Sequence, residues 1–252
     1  MNTATFRFYA ELNDFFPPEK RQRAISYEFT GSPAIKDAIE ALGVPHTEVD
    51  VVLVNGHSVD FAYRLHPGVR VAVYPVFESL DISPLVRLRD RPLRRTAFIA
   101  DVHLRKLARL LRLLGFDTAL SNDYTDAEIV AIACDEERII LTRDRELLKH
   151  GAVTHGYWIR SDQPLEQARE VVHRFDLASQ VQPFRRCLTC NGLLKPVDKK
   201  EVLSRIPPKT ALWQDEYFIC QVCDKLYWRG THFPKLQDII EQIFANKQES
   251  GN

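Results

Sequence analysis

The sequence predicts a chain of mixed architecture, in which a small α+β domain is followed by an α/β domain with a parallel sheet and then by a zinc ribbon. The chain has 252 residues, and a single hydrophobic core usually stops growing near about 250–300 residues, so two or three domains are expected. Strand patterns surround one helix in the first third, strands alternate with helices in the middle, and two CxxC pairs mark the last third. These observations define the three regions.

The first region, residues 1–85, has the pattern of strands around a single helix. Ser32 is expected to cap that helix and Gly43 to end it. The pair Asn55-Gly56 indicates a tight turn between two strands. Strands are predicted at residues 6–9, 27–30, 51–54 and 69–76, and the helix at 34–42. The order ββαββ with one helix is typical of a small α+β domain.

A basic linker is expected at residues 86–95, since the stretch RLRDRPLRR holds five arginines and a proline within residues 87–95. In residues 96–186, strands alternate with helices at the spacing of βαβ units, which predicts a parallel sheet. The expected strands are 98–100, 118–120 and 138–142, and the expected helices are 104–114, 126–134 and 146–150. Residues 187–232 form the predicted zinc ribbon, and residues 233–252 a terminal helix and tail.

Composition excludes several classes of protein. With 45% hydrophobic and 27% charged residues, the chain is a folded protein and not a disordered one. No run approaches the roughly 18–20 apolar residues of a membrane helix, and the N-terminal residues carry no secretory signal pattern, so we expect a cytoplasmic protein with no membrane partner. Four of the five cysteines are paired as CxxC, which in this compartment favours metal binding over disulfides.

The net charge of zero conceals an uneven distribution. Residues 1–85 hold 7 Lys/Arg against 11 Asp/Glu, a net charge of −4. Residues 86–186 hold 18 against 15, or +3, and residues 187–252 hold 9 against 8, or +1. The basic excess lies mainly in 87–95 and in the predicted helix bearing Arg105, Lys106, Arg109 and Arg112. The whole-chain net charge of zero, taken alone, argues against a nucleic-acid partner. The basic excess of residues 86–186 is compatible with one.

The strongest single motif is the pair Cys187-x-x-Cys190 and Cys220-x-x-Cys223. Each short loop directs two thiolates toward one point, so the four together suit a tetrahedral Zn²⁺ with no open position, a structural site. The alternative is free thiols or redox pairs. Cys134 stands apart from the motif, among apolar residues of a helix, and is expected to be a core cysteine.

Three carboxylates follow predicted strands of the parallel sheet. Asp101 ends the strand FIAD, Asp144 ends RIILTRD, and Asp126 starts the next helix. Ligands of such sheets bind at the carboxyl ends of the strands, and converging acids require a divalent cation such as Mg²⁺ or Mn²⁺. Asp126 and Asp144 are alternatively helix caps, and Glu128 is a first-turn acid or a fourth ligand. Asp101 precedes a helix with no evident need of a cap, which favours a catalytic role.

Several residues are candidates for contact with RNA. Thr142 and Arg143 precede Asp144. The hydroxyl is suited to orient the acids or a water, and Arg143 is either a phosphate contact or an ordinary surface arginine. Arg94 and Arg95 of the basic linker, with the face from Arg105 to Arg112, suit an RNA backbone; a solvated helix face explains the latter equally. The ribbon aromatics offer base stacking but are more typical of a ribbon core: Trp213, Tyr217, Phe218, Tyr227 and Trp228.

The segments LARLLRLLGFD, LTRDREL and RCLTCNG, with ICQVCDKLYWRGTH, resemble the Mut-seven C-terminal RNase family over about residues 96–232. The resemblance implies a PIN-like nuclease domain with an attached zinc ribbon. It also implies that Asp101, Asp126 and Asp144 bind a catalytic Mg²⁺ or Mn²⁺. This chain has Arg105 where the family usually has Gly. It has no match for the further Glu of PIN toxins, which leaves Glu128 as the candidate for that role.

The segment VLVNGHSVDFAYRLHPGVRVAVYPVF resembles the ubiquitin-like, β-grasp domain that accompanies this family and the sulfur carriers of thiamine and molybdopterin synthesis. Those carriers react through a C-terminal Gly-Gly, whereas this chain continues with residues 76–79, VFES. The sequence therefore predicts a metal-dependent ribonuclease. Its β-grasp domain is expected to dock a protein partner or to assist in binding RNA. The alternatives are a non-catalytic RNA- or ribosome-binding adaptor and a protein-interaction module in sulfur or RNA metabolism.

Overall fold

The computed structural model of the chain describes residues 1–75 and 96–245. The strands, in chain order, are β1 (Asn2–Phe8), β2 (Ile25–Phe29), β3 (Val49–Val54), β4 (His57–Val59), β5 (Arg70–Pro75), β6 (Ala97–Ala100), β7 (Asp117–Ala119), β8 (Ile139–Thr142), β9 (Gly156–Trp158), β10 (Leu194–Val197), β11 (Tyr217–Cys220) and β12 (Leu226–Trp228). The α-helices are α1 (Ile35–Ala41), α2 (Arg105–Leu113), α3 (Asp126–Asp135), α4 (Arg145–Lys149), α5 (Pro164–Arg174), α6 (Lys199–Val202), α7 (Pro208–Ala211) and α8 (Phe233–Phe244). No helix of the described residues is long and apolar enough to cross a membrane.

The described chain divides into two compact units. The first contains residues 1–75 together with Thr125–Trp158, and the second contains Thr96–Tyr124 together with residues 159–245. The first unit thus combines the ubiquitin-like region with α3, β8, α4 and β9. The second combines β6, α2 and β7 with α5, the three ribbon strands and α8.

The N-terminal sheet of the first unit has five strands in the order β2-β1-β5-β3-β4. β1 pairs in parallel with β5, and the other pairs are antiparallel. Alternate residues of β1 are buried because successive side chains of a strand point to opposite faces. The hydrophobic core of this sheet and α1 includes Phe6, Phe8, Ile35, Ile39 and Val73. The sequence pattern ββαββ is present, with β4 as an additional short strand.

Two local predictions in this sheet had different outcomes. Asn55 and Gly56 have φ of 49° and 88°, so they form the predicted tight turn, which joins β3 to β4. The prediction of Ser32 as the cap of α1 is wrong, because the helix starts at Ile35 and its N-cap residue Ala34 makes no side-chain hydrogen bond. The Ser32 hydroxyl instead donates to the carbonyl of Leu65, 3.0 Å away.

Parallel strand pairs confirm the predicted α/β character of the middle region. β6 pairs in parallel with β7 in the second unit, and β8 pairs in parallel with β9 in the first. Every residue of β6 and β8 is buried, which explains why both segments are continuous apolar runs and not alternating ones. β9 and α5 were not predicted, since a three-residue strand and a helix with many polar residues give weak sequence patterns.

The ribbon strands form an antiparallel sheet in the order β10-β11-β12. Its small core contains Val202, Ile206 and Tyr217, with Trp228 packed against it. Tyr217 is therefore a core residue, whereas Trp213 is 57% exposed. The predicted terminal helix is present as α8, which buries Ile243.

One expected core residue lies at the surface. Cys134 is exposed in the last turn of α3, and its thiol donates to the carbonyl of Ala152 at 3.2 Å. The buried face of α3 is formed by Ile129, Val130 and Ala133. The prediction of a core cysteine is wrong because one apolar position in a helix does not fix which face that position occupies.

Candidate metal centre and candidate active site

Four thiols converge in the ribbon. The Sγ atoms of Cys187 and Cys223 are 3.7 Å apart and those of Cys190 and Cys220 are 3.3 Å apart, and all four lie within 4.8 Å of one another. A tetrahedral ion with Zn–S bonds of about 2.3 Å places its sulfurs about 3.8 Å apart. The thiol positions are therefore compatible with zinc, and no other group of three or more Cys, His, Asp or Glu in the described residues has ligand atoms this close together.

The backbone of the two CxxC loops explains this convergence. The N–H of Cys190 donates to Cys187 Sγ at 3.5 Å, and the N–H of Val222 donates to Cys220 Sγ at 3.4 Å. Each loop is followed by a residue in the left-handed region, Asn191 with φ 72° and Asp224 with φ 55°. Asn and Asp tolerate this conformation better than other side chains. Both turns are therefore encoded by the residue after the second cysteine.

Neighbouring hydrogen-bond donors lower the pKa of one thiol, Cys187. Burial opposes ionisation of Cys187, but hydrogen bonds from the Tyr227 hydroxyl, 3.0 Å away, and from the N–H groups of Cys190 and Thr189 lower its pKa to about 6. Burial raises the pKa of Cys190 to about 12. Burial and the neighbouring Cys187 raise the pKa of Tyr227 above its usual value, so Tyr227 keeps its proton and donates to the sulfur.

A buried arginine joins the first CxxC loop to α2. Arg112 is 5% exposed and donates to the carbonyls of Thr118 at 2.9 Å and Thr189 at 2.8 Å. Burial lowers its pKa, while the charges of Cys187 and Cys190 act in the opposite direction. The expectation that Arg112 belongs to an RNA-facing helix surface is therefore wrong. Arg105, Lys106 and Arg109 of that surface are exposed.

A second set of contacts, which was not predicted from the sequence, holds the first CxxC loop in place. The Asn191 amide donates to Asp117 Oδ1 at 2.8 Å and accepts from the N–H of Thr118 at 3.0 Å. Arg186 donates to Asp117 Oδ2 at 3.2 Å and to the carbonyl of Gly115 at 3.2 Å. Position 115 requires glycine, because its φ is 99° and a Cβ there would lie 2.2 Å from the carbonyl oxygen of Gln182. These contacts join the motif LGFD, which contains Gly115 and Asp117, to the motif RCLTCNG, which contains Arg186 and Asn191. The two motifs were the sequence signal that could have indicated the contact.

Asp101 lies directly after β6, in the second unit, and is partly buried. Its side chain accepts from the N–H of His103 at 3.1 Å and so caps the 3₁₀ helix Val102–Leu104. The expectation that nothing here needs a cap is wrong, because that short helix precedes α2. Close by in sequence, the guanidinium of Arg105 donates to Asn122 Oδ1 at 2.5 Å.

Asp144 lies in the first unit, two residues after β8, and is exposed. It is the N-cap of α4 and accepts from the N–H of Glu146 at 2.8 Å. Thr142 is fully buried, and its Oγ1 accepts from the Asp144 N–H at 2.9 Å. The Arg143 side chain is exposed. The hydrogen bond between Thr142 and Asp144 holds the backbone of Asp144 and does not involve its carboxylate.

Asp126 and Glu128 lie in the first turn of α3, and both are exposed. The cap of α3 is Thr125 and not Asp126, the residue that the sequence suggested. Thr125 and Glu128 form a reciprocal capping box, in which Glu128 Oε2 accepts from the N–H of Thr125 at 2.7 Å. Hydrogen bonds from the backbone and the hydroxyl of Thr125 lower the pKa of Glu128. Arg94 and Arg95, the remaining predicted contacts, lie outside the described residues.

Comparison with known families gives two matches. Residues 96–240 match the sequence model described as the Mut7-C RNAse domain, and residues 1–81 match the one described as Mut7-C ubiquitin. The two matches occur in the order that the sequence predicted, and the first indicates ribonuclease activity in general. No curated protein and no solved structure matches the chain.

Proposed function

This chain belongs to the Mut7-C RNAse family, and from that membership we propose that it is a ribonuclease that hydrolyses RNA phosphodiester bonds with a Mg²⁺ or Mn²⁺ ion held by Asp101, Asp126 and Asp144. The observation that carries the proposal is that Asp101 and Asp144 each follow the carboxyl end of a fully buried strand of a parallel pair. Strand ends of this kind are where α/β sheets place their ligands.

The capping contacts are compatible with metal binding. A carboxylate has about four lone-pair sites, and the hydrogen bond to an N–H uses one oxygen of Asp101 and one of Asp144. These bonds fix the orientation of each carboxyl group, which reduces the cost of arranging a metal site. Carboxylate oxygens are also the donors that Mg²⁺ and Mn²⁺ prefer. A divalent cation bound there would lower the pKa of a coordinated water and offset charge on the phosphate.

The neighbouring side chains have separate roles in this proposal. Arg143 projects from the segment that holds Asp144, and its exposed guanidinium suits a phosphate oxygen. Thr142 supports Asp144 from the interior. Glu128 is the candidate fourth acid, although its Oε2 already accepts two hydrogen bonds from Thr125.

The tetracysteine centre has a structural role in this proposal. Four protein thiolates complete a tetrahedral Zn²⁺ shell and leave no position for a water molecule or a substrate. The exposed residues Arg105, Lys106 and Arg109, with the linker residues Arg94 and Arg95, would contact the RNA backbone. Trp213 is the ribbon aromatic that is exposed enough to stack on a base.

One observation favours a second candidate, a non-catalytic RNA- or ribosome-binding adaptor. Asp101 and Asp144 cap helical segments, and Glu128 completes a capping box, so these acids have structural reasons to be present. In that case the zinc ribbon and the basic residues would provide all of the contact with RNA.

Cleavage of labelled single-stranded and structured RNA in Mn²⁺ tests the proposal on the wild type, Asp101→Asn and Asp144→Asn. Asparagine caps helices about as well as aspartate, so both variants keep the fold. We expect each to lose at least about 100-fold in cleavage rate, since even an outer-shell defect costs 10–100-fold at metal sites, while RNA affinity persists.

The matched control is Glu146→Gln, which removes an exposed carboxylate two residues from Asp144. It should cleave at the wild-type rate. Equal residual cleavage in the wild type and both aspartate variants would reject the enzyme and favour the adaptor. RNA binding that falls with salt and survives loss of the acids would then support the adaptor.

A further inference from the structure

Within the first unit, the ubiquitin-like region contacts the segment that carries Asp144. The Phe15 and Trp158 rings lie 4.9 Å apart between centroids. The guanidinium of Arg145 lies 4.0 Å from the Trp158 ring centroid and 5.0 Å from that of Phe15, and it donates to the Phe15 carbonyl at 3.3 Å. We call these three residues the Phe15–Arg145–Trp158 stack. It joins a residue of the N-terminal region to the first residue of α4.

Trp158 is held from both sides. Its backbone N–H donates to Glu48 Oε1 at 2.7 Å, and its indole N–H donates to the carbonyl of Arg143 at 3.2 Å. Glu48 is completely buried. A buried carboxylate that receives a hydrogen bond from another element fixes the position of that element, because losing the bond would leave a desolvated charge. Trp158 therefore connects the ubiquitin-like region to Arg143.

A further polar contact reinforces this attachment. His46 is 7% exposed, with Nε2 2.8 Å from the carbonyl oxygen of Val153 and Nδ1 2.5 Å from Glu40 Oε1. Directed hydrogen bonds of buried groups specify one arrangement, whereas a purely apolar contact would allow several. The ubiquitin-like region is thus attached to the Thr125–Trp158 segment by specific contacts at His46, Glu48 and Phe15, which lie in two 3₁₀ helices.

We propose that the ubiquitin-like domain positions the catalytic carboxylate Asp144. Arg143 and Arg145 flank this acid, and both are held by Trp158, which Phe15 and Glu48 hold in turn. The residues on each side of Asp144 are therefore held by contacts that lead to the N-terminal region. Phe15, Glu48 and Trp158 are positioning residues that touch no substrate. The inference rests on the proposed function, since it assigns the ubiquitin-like domain to the same site.

Positioning of this kind matters because a misplacement of about 1 Å can cost about 100-fold in rate. The ubiquitin-like domain is then a fixed part of the nuclease, which accounts for its occurrence without the C-terminal Gly-Gly of a sulfur carrier.

The test compares Phe15→Ala with Phe29→Ala in the full chain. Both phenylalanines are 6% exposed and belong to the same core, but Phe29 lies in β2 and stacks on Tyr27. Amide hydrogen exchange over residues 142–149 is the first readout, and it does not depend on activity. We expect faster exchange at Asp144 and Glu146 in Phe15→Ala and wild-type exchange there in Phe29→Ala.

RNA cleavage is the second readout. We expect Phe15→Ala to lower kcat by about ten- to a hundredfold with little change in KM, while Phe29→Ala retains the wild-type kcat. If Phe15→Ala does not fold, Trp158→Phe replaces it, because this variant keeps an aromatic ring and loses the N–H that contacts Arg143. It should show the same direction in both readouts.

The two failures are distinguishable. Exchange at Asp144 and Glu146 that is equal in Phe15→Ala, Trp158→Phe and the wild type would overturn the positioning role whether or not the protein cleaves RNA. Equal kcat in the Phe15→Ala and Phe29→Ala variants would overturn it as well. A wild type that cleaves no RNA in Mn²⁺ would reject the proposed function and, with it, the catalytic part of this inference.

Discussion

The two sets of candidate metal ligands in this chain are held in different ways. The four thiols come from two short loops of one small sheet, and all lie within 4.8 Å of one another. The three acids lie on separate elements, Asp101 in the second unit and Asp126 and Asp144 in the first. The thiol site is thus encoded locally, by spacing within each loop, whereas an acid site at strand ends depends on how distant segments pack.

The surroundings of the two sets also differ. Backbone N–H groups and Tyr227 point at the sulfurs, and Arg112, Asp117 and Arg186 fix the first loop to α2 and β7. Asp101 and Asp144 receive hydrogen bonds from the helical turns that they cap. The ribbon is thus organised around its four thiols, whereas Asp101 and Asp144 serve a local structural purpose as helix caps besides any catalytic one.

The largest effect is expected from breaking the thiol site with Cys187→Ala. Structural zinc contributes about 10–16 kcal/mol of apparent binding energy in zinc-finger peptides, so loss of one ligand should release the metal and unfold the ribbon. Zinc content and far-UV circular dichroism measure this. Cys134→Ala is the control, since this exposed cysteine lies outside the centre, and it should keep its zinc. Full zinc content in Cys187→Ala would contradict the assignment.

An intermediate effect is expected from Arg112→Met, which tests the attachment of the first CxxC loop to α2. The variant leaves the carbonyls of Thr118 and Thr189 without their buried donor, so the free energy of unfolding should fall by about 3 kcal/mol. Urea denaturation measures the change. Arg109→Met, on the exposed side of the same helix, should fall within about 0.5 kcal/mol of the wild type. Equal stability of the two variants would show that the attachment contributes nothing.

The smallest effect is expected from the capping box of Thr125 and Glu128 at the start of α3, which makes a small part of the stability depend on pH. Because the folded-state pKa of Glu128 is lowered, its stabilising contribution is present above its unfolded pKa of about 4.3 and is lost as pH falls through the folded value. An NMR titration should place the Glu128 pKa below that unfolded value, and Thr125→Ala should raise it. Glu128→Gln keeps the capping box and should remove this part of the acid sensitivity. If the Glu128 pKa is unchanged in Thr125→Ala, the hydrogen bonds from Thr125 are not what lowers it.

Strong local patterns were predicted correctly from the sequence. The CxxC spacing predicted the thiol cluster, the buried runs of β6 and β8 predicted parallel strands, and Asn55-Gly56 predicted a hairpin turn. Each pattern expresses physics confined to a few residues, such as a left-handed turn or a strand buried on both faces. The family resemblance was confirmed for both regions.

The wrong predictions share a different cause. Arg112 was assigned to an exposed basic face and is buried, Cys134 was assigned to the core and is exposed, and Asp101 was given no cap role although it caps a 3₁₀ helix. In each case the residue type was interpreted correctly, but its surroundings come from elements remote in sequence or from a short helix with no periodic signal.

The order of the domains, the four-cysteine cluster and the strands that precede Asp101 and Asp144 follow from the amino-acid sequence, because loop spacing and apolar runs act over short range. The contacts of Arg112 and Asn191 with the ribbon, and those of Trp158 with Phe15, Glu48 and Arg143, exist in the folded protein alone. These contacts join residues that lie far apart along the chain. Their energies depend on burial and hydrogen-bond geometry, which exist only once the chain has folded.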